Sequence, residues 1–384
     1  MKTLKLIALF AVSLGQTPQL NGQDLPNVLG EPAAKDFDEW IGVQRPKTLE
    51  LFRKHIYGRN PVERPKDLKF EVLKEDAKAM NGMATLKEVR ISYSGPGGKS
   101  GFNLIVFVPN EAKKPAPGFL LICNRDGSNI DPTRKKKSDF WPAELIVKNG
   151  YVAATFLNAE LSTDKDLNFN NGVHQVFDDY QGERPGDAWA TIAGWAWGAS
   201  RALDYFESDD AVNARKIAVI GHSRGGKTSL WAGANDERFA MAISNNSGCT
   251  GAALARRKKG ERVARINKVF PHWFCGNYKN FNDREDDLPV DQHQLVALIA
   301  PRPVYVASAS KDAWADPEGE YLAAYHAGPV YRLFGLKGLK EAKMPEPQKP
   351  LHDGHVGYHL REGKHNLTVY DWTQYIAFAD RHLK

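Results

Sequence analysis

Cysteine is scarce in this 384-residue chain. Cys123, Cys249 and Cys275 are the whole complement, too few for a disulfide framework, so buried free thiols are expected. No apolar stretch is long enough to span a bilayer. The most extended one, Leu6 to Leu14, follows Lys2 and Lys5 and gives way to polar residues, the pattern of a secretory signal peptide occupying about residues 1–22. No cysteine lies near its end to carry a lipid anchor. Export to the periplasm or the medium is expected, with no membrane association once the leader is removed. Charge of one sign is not concentrated either. The formal net charge is only +6, and the short basic runs Arg134 to Lys137 and Arg256 to Lys259 read as solvated surface, so no nucleic-acid partner is expected. Repeats and low-complexity tracts are missing, and 42% hydrophobic with 26% charged residues excludes a disordered or fibrous chain. Residues 23–384 are expected to form one catalytic domain, acting as a monomer.

What is present is a regular alternation. A lead-in ends in an expected helix around Lys47 to Tyr57, with Pro46 near its start and Gly58 just past its end. Strand-like segments at Leu68 to Leu73, Thr85 to Ser94 and Phe102 to Val108, separated by turns such as Gly95-Pro96-Gly97-Gly98, suggest an antiparallel edge. Short apolar runs follow at Gly118 to Cys123, Tyr151 to Phe156, Lys216 to Ile220, Phe239 to Ser244 and Pro303 to Ala309, the kind buried on both faces of a parallel sheet. Helical patterns lie between them. The clearest, Asp187 to Glu207, repeats Trp189, Ile192, Trp195, Ala199, Leu203 and Phe206 at three- and four-residue intervals. A last helix is expected from Asp371 to His382. The fold class is therefore α/β: a three-layer sandwich around a mostly parallel, doubly wound sheet with an antiparallel N-terminal edge.

The run Ile217 to Ile220 leads into Gly221-His222-Ser223-Arg224-Gly225, with a helical pattern expected from near Thr228. This is the G-x-S-x-G nucleophile elbow of the α/β-hydrolase fold, in which the glycines allow a strand to reverse sharply into a helix and leave the serine at the tip. A serine needs a base, and the base needs an orienting carboxylate, which in this fold follow in the order serine, acid, histidine. Asp312 is the first carboxylate past the strand Pro303 to Ala309. Asp316, before Pro317, reads as a turn residue or helix cap. Among the later histidines, His365 in the loop Glu362 to Asn366 stands just before the last helix, where the base belongs, while His382 reads as a solvated histidine at a helix C-terminus. A rival reading makes His352, Asp353, His355, His359 and His365 metal ligands. The stretch is glycine-rich and loop-like, has no His-Glu-x-x-His helix, and would leave the elbow unexplained, so neither metal nor cofactor is expected. Arg224 and Lys227 put cations beside the serine, where a helix start disfavours them. The N–H and guanidinium of Arg224 suit a developing oxyanion, since Asn124-Arg125-Asp126-Gly127 lacks the His-Gly-Gly-Gly donor motif.

Gly221-His222-Ser223-Arg224-Gly225-Gly226-Lys227 resembles the G-x-S-R-x-G-K signature of the glucuronoyl esterases, carbohydrate esterase family 15. Asn246 to Ala253, Gly260-Glu261-Arg262, Phe270 to Phe274, Pro289 to His293, Lys311 to Pro317, Gly357-Tyr358-His359 and Gly363-Lys364-His365 are similar to stretches of its bacterial members. The resemblance implies hydrolysis of the ester between (4-O-methyl-)glucuronic acid on xylan and lignin alcohols. It also implies that Lys227, Glu261 and Trp314 contact sugar hydroxyls; His272, Trp273 and Phe274 read as packing beneath the pocket. The family's fungal members place the acid in the loop after the strand that follows the elbow, and that position here is Asn246, which cannot ionise. The resemblance thus points to Asp312 only through relatives carrying the acid in the later loop. Acetyl xylan hydrolysis or peptide cleavage by the same three residues, and a carbohydrate-binding protein without activity, stay open as alternatives.

Overall fold

The computed structural model describes residues 25–113, 115–165 and 167–384; the expected signal peptide lies outside them. Nine strands form one sheet in the order β1-β2-β3-β5-β4-β6-β7-β8-β9. β1 (Lys69–Ala79), β2 (Ala84–Gly95) and β3 (Gly98–Pro109) make an antiparallel meander joined antiparallel to β5 (Val152–Leu157). From β5 onward every pairing is parallel, through β4 (Ala116–Cys123), β6 (Val212–His222), β7 (Met241–Asn245), β8 (Val304–Ala309) and β9 (Val356–Arg361).

Strand side chains alternate between two apolar layers, as the two-residue period of a strand requires. Leu120 and Ile122 of β4 join Trp195, Leu203, Leu230 and Trp231 on one face. Phe119 and Leu121 join Ile146, Trp372 and Phe378 on the other. Helices Thr191–Phe206 and Arg224–Asn235 cover the first face, and Ala143–Lys148 and Val369–His382 the second. Among the described residues no helix is long and apolar enough to cross a membrane.

Some expectations shift. The lead-in helix runs Arg45–Phe52 and continues through a wider turn, Arg53–Tyr57. The tryptophan-rich helix starts at Thr191, and Trp189 is buried ahead of it with its indole N–H on Asp178. The glycine-rich histidine segment contains a strand, β9, with all six residues buried. The sequence reads as loop-like there because a short strand buried on both faces shows no alternation. The basic runs are not wholly solvated. Arg134 is buried, with its guanidinium on Glu144 at 2.8 and 3.2 Å, and the Arg257 side chain, only 5% exposed, bridges Asp316 at 2.8 Å and Glu318 at 2.5 Å. In each case a local carboxylate offsets the cost of desolvating the guanidinium.

Candidate active site

The C-terminal ends of β6, β7 and β8 and the loop after β9 meet next to the elbow, where the His222 ring lies against His365 and both Asn246 and His365 contact Asp312. Ser223 adopts φ +57° and ψ −126°, a strained conformation for a residue with a side chain, and is itself the N-cap of helix Arg224–Asn235. The helix therefore begins four residues earlier than the expected Thr228. Gly221 is dictated by this geometry: a Cβ there would lie 2.0 Å from the Gly225 carbonyl oxygen. The Ser223 N–H donates to Asn245 O at 2.9 Å, pinning the tip to β7, and Ser223 O accepts from Gly226 and Lys227.

His365 Nδ1 and Asp312 Oδ2 are 2.6 Å apart. Asp312 follows β8 directly and its side chain is 5% exposed, whereas that of His365 is 42% exposed. The Asn246 side-chain amide donates to the same Asp312 oxygen at 3.0 Å. Burial works against ionisation of Asp312, yet the hydrogen bond and charge of His365 and the bond from Asn246 hold its carboxyl below its ordinary range. The His365 ring lies 4.4 Å from that of His222. His222 is tied to Asn245 Oδ1 at 2.6 Å, and burial, reinforced by His365, pushes its imidazole down to about 3, so it packs as a neutral ring under the site.

Asp316 sits where a helix cap was expected, ahead of Pro317, in a left-handed conformation, but its carboxylate serves Arg257 instead of the helix. The other histidines go separate ways. His359 is buried against Asp371 and the Tyr305 hydroxyl, and His352 bonds the same hydroxyl from outside. His355 packs on His382, and His382 is half-buried, with its Nε2 3.2 Å from Gly354 O, rather than solvated. Among the described residues no group of three metal-ligating side chains converges. Cys123, Cys249 and Cys275 are buried free thiols; burial pushes the first two up to about 12 and the third to about 11.

Arg224 stands with its Nε 2.6 Å from Asp164 Oδ2 and its Nη2 donating to Asn124 O at 3.1 Å. The backbone N–H of Arg224, first in its helix, is one of the donors that a helix start leaves unpaired. Lys227 is buried deeper than a sugar contact on an open surface: Nζ donates to Ser247 O at 2.5 Å and to Cys249 O, and lies 4.0 Å from Glu261 Oε2. Glu261 reaches this point because its N–H donates to Trp314 O at 2.9 Å. Gly260 makes the approach possible, since at φ +62° a Cβ would meet the Trp314 oxygen at 2.3 Å. Trp314 is 55% exposed on the rim.

Three contributors escaped the sequence reading. Asp164, in the loop after β5, holds Arg224 and also accepts from Trp273 Nε1 at 2.5 Å, with His272 Nε2 3.2 Å away. His272 and Trp273 therefore do more than pack beneath the pocket. Asn245 braces His222 and the elbow. Glu320, fully buried, accepts from Gly248 N at 2.9 Å and from the Ser308 hydroxyl at 2.7 Å, joining the loop after β7 to the end of β8. No motif marks these residues; each is placed by contacts between distant segments.

Residues 97–335 match the family model described as glucuronyl esterase, fungi. A carbohydrate esterase from an unknown prokaryotic organism is 39% identical over 100% of this chain and 98% of its own length. A glucuronoyl esterase from Solibacter usitatus superposes with a TM-score of 0.89 at 38% identity, covering 96% of this chain and all of that one. A family 15 esterase from a marine bacterial metagenome, described as promiscuous, gives 0.85 at 39% identity over 96% of this chain and 98% of its own. With an elbow serine, an acid-histidine pair and this similarity along almost its whole length, the chain belongs to the glucuronoyl esterase family.

Proposed function

We propose that this carboxylic ester hydrolase cleaves the ester joining the carboxyl of (4-O-methyl-)glucuronic acid on xylan to lignin alcohols, with Ser223 as nucleophile, His365 as base and Asp312 as its orienting acid. His365 takes the Ser223 hydroxyl proton as Oγ attacks the ester carbonyl. The negative oxygen of the tetrahedral intermediate meets the N–H and guanidinium of Arg224. Collapse breaks the bond to the alcohol, which leaves with the proton from His365. Water then attacks the acyl-serine through the same base, releasing the uronate and restoring the serine.

The observation that carries the reading is that the elbow and its neighbouring loops bear two groups of side chains. One holds Ser223 and the 2.6 Å His365–Asp312 contact; in the other, Lys227 Nζ and Glu261 Oε2 lie 4.0 Å apart beside the exposed Trp314. A gap of that width lets one hydroxyl oxygen bond to both groups at about 2.8 Å each, and the indole offers a flat face to a pyranose. The uncharged ester gains little from Arg224 until charge develops during attack, which favours catalysis over tight substrate binding. Because a polymer substrate is met outside the cell, export through the leader at residues 1–22 belongs to the same proposal.

The test is a panel of benzyl, methyl and allyl glucuronates, benzyl galacturonate and acetylated xylan. Release of alcohol from the glucuronates is the expected result. Release of acetate from xylan with no action on uronate esters would overturn the reading in favour of an acetyl esterase.

A further inference from the structure

The pairing of Arg224 with Asp164 raises a question of charge, because the proposed reaction begins with an uncharged ester and ends with a carboxylate in the same place. An unopposed guanidinium beside the reacting carbon binds carboxylates through parallel N–H bonds, and so would retain the product of each turnover. Asp164 Oδ2 lies 2.6 Å from Arg224 Nε. Its other oxygen is fixed by Trp273 Nε1 at 2.5 Å, with His272 Nε2 at 3.2 Å, so the carboxylate cannot swing away. The Trp273 ring also backs the guanidinium, 5.9 Å from Cζ. The Asp164 and Arg224 side chains are 24% and 30% exposed, so solvent reaches the pair. Arg224 Nε meets Asp164 as an ion pair without an aligned hydrogen bond, Nη2 donates to Asn124 O, and Nη1, with no hydrogen-bonding partner among the described residues, remains able to meet an oxyanion.

We infer that Asp164 is a positioning residue that both aims Arg224 and weakens the site's hold on its own anionic product. This rests on the reading of the enzyme as a uronate esterase. A product carboxylate on Arg224 also lies within several ångströms of the Asp164 carboxylate, and like charges at about 6 Å in a half-exposed cleft change affinity by about tenfold. The neutral ester and neutral sugar amides do not feel this repulsion.

The test measures the Kd of glucuronate and of glucuronamide by titration calorimetry, and kcat for benzyl glucuronate, in wild type, Asp164→Asn and Asp164→Glu. Asp164→Asn should bind glucuronate about tenfold more tightly, with glucuronamide Kd changed less than threefold, and should lower kcat for benzyl glucuronate as Arg224 loses its aim. Asp164→Glu, keeping the charge, should stay near wild type for glucuronate. Unchanged or weaker glucuronate binding in Asp164→Asn overturns the inference, and equal weakening of glucuronate and glucuronamide assigns Asp164 to structure alone. Should Asp164→Asn not fold, Asp164→Ser carries the same comparison. A wild-type enzyme that releases no alcohol from benzyl glucuronate overturns the underlying functional reading instead, and this is seen before any variant is made.

Discussion

Replacing Asp312 by asparagine removes one charge and little volume from the contact on which the proposed mechanism turns. During attack His365 becomes a cation, and the carboxylate 2.6 Å from Nδ1 is what stabilises it. One partner has a side chain only 5% exposed and the other 42%, which sets an effective dielectric between interior and water. At about 20 to 40, the Coulomb energy across that gap is about 3 to 6 kcal/mol, or about 10² to 10⁴ in rate. Because the Asn246 amide donates to the same oxygen at 3.0 Å, an asparagine here keeps its amide oxygen toward Nδ1, and the loss is that of the charge alone. The assay is kcat for benzyl glucuronate beside the thermal midpoint. The expected result is a fall of about 10³ in kcat with the midpoint little changed, since Asn246 can still bond an amide oxygen at this position. Activity within tenfold of wild type would refute the assignment of Asp312. Asp316→Asn should do the opposite, lowering stability by about 1 to 3 kcal/mol through loss of the Arg257 bridge while leaving kcat within a few-fold.

Gly221→Ala should abolish activity and leave soluble yield sharply reduced, because the added methyl meets backbone 2.0 Å away and the elbow must open; wild-type turnover by this variant would contradict the turn geometry. Trp314→Ala should raise KM for benzyl glucuronate about tenfold or more with no loss of stability, given its 55% exposure; an unchanged KM removes it from the sugar site. Glu320 tests linkage. Burial pushes its carboxyl up to about 8, above its unfolded value. The folded state therefore holds a proton that the unfolded state has lost between about pH 4.5 and 8, and stability falls as pH rises through that window. Urea midpoints should drop from pH 5 to pH 8.5 in wild type and drop less in Glu320→Gln; parallel curves would show that Glu320 is ionised throughout.

Much of the candidate site's arrangement was legible because its logic is local or positional. The strand-turn-helix signature around Ser223 is contiguous, and the fold's chain order directs attention to the loops that carry Asp312 and His365. Of the parallel-paired strands, β4 to β8 announced themselves as short apolar runs. What stayed hidden depends on side chains meeting across long separations. Asp164 reaches Arg224 from 60 positions away in a loop with no signature, and Glu320 joins the loop after β7 to β8 from within a helix whose pattern gives no hint of a buried acid. Arg134 and Arg257 look solvated because composition counts charges without seeing the carboxylates that pair with them. β9 was missed for a different reason, since a strand buried on both faces and placed among glycines carries neither alternation nor length.

The central claim is that Ser223 carries the glucuronoyl group between two half-reactions. Rapid acid quenching of the enzyme mixed with benzyl glucuronate, followed by peptide mass analysis, tests it directly. A mass gain of one glucuronoyl group on the peptide containing Ser223, absent in Ser223→Ala together with benzyl alcohol release, is the result the account predicts. Benzyl alcohol release that persists in Ser223→Ala, or a glucuronoyl group found on another residue, would contradict it.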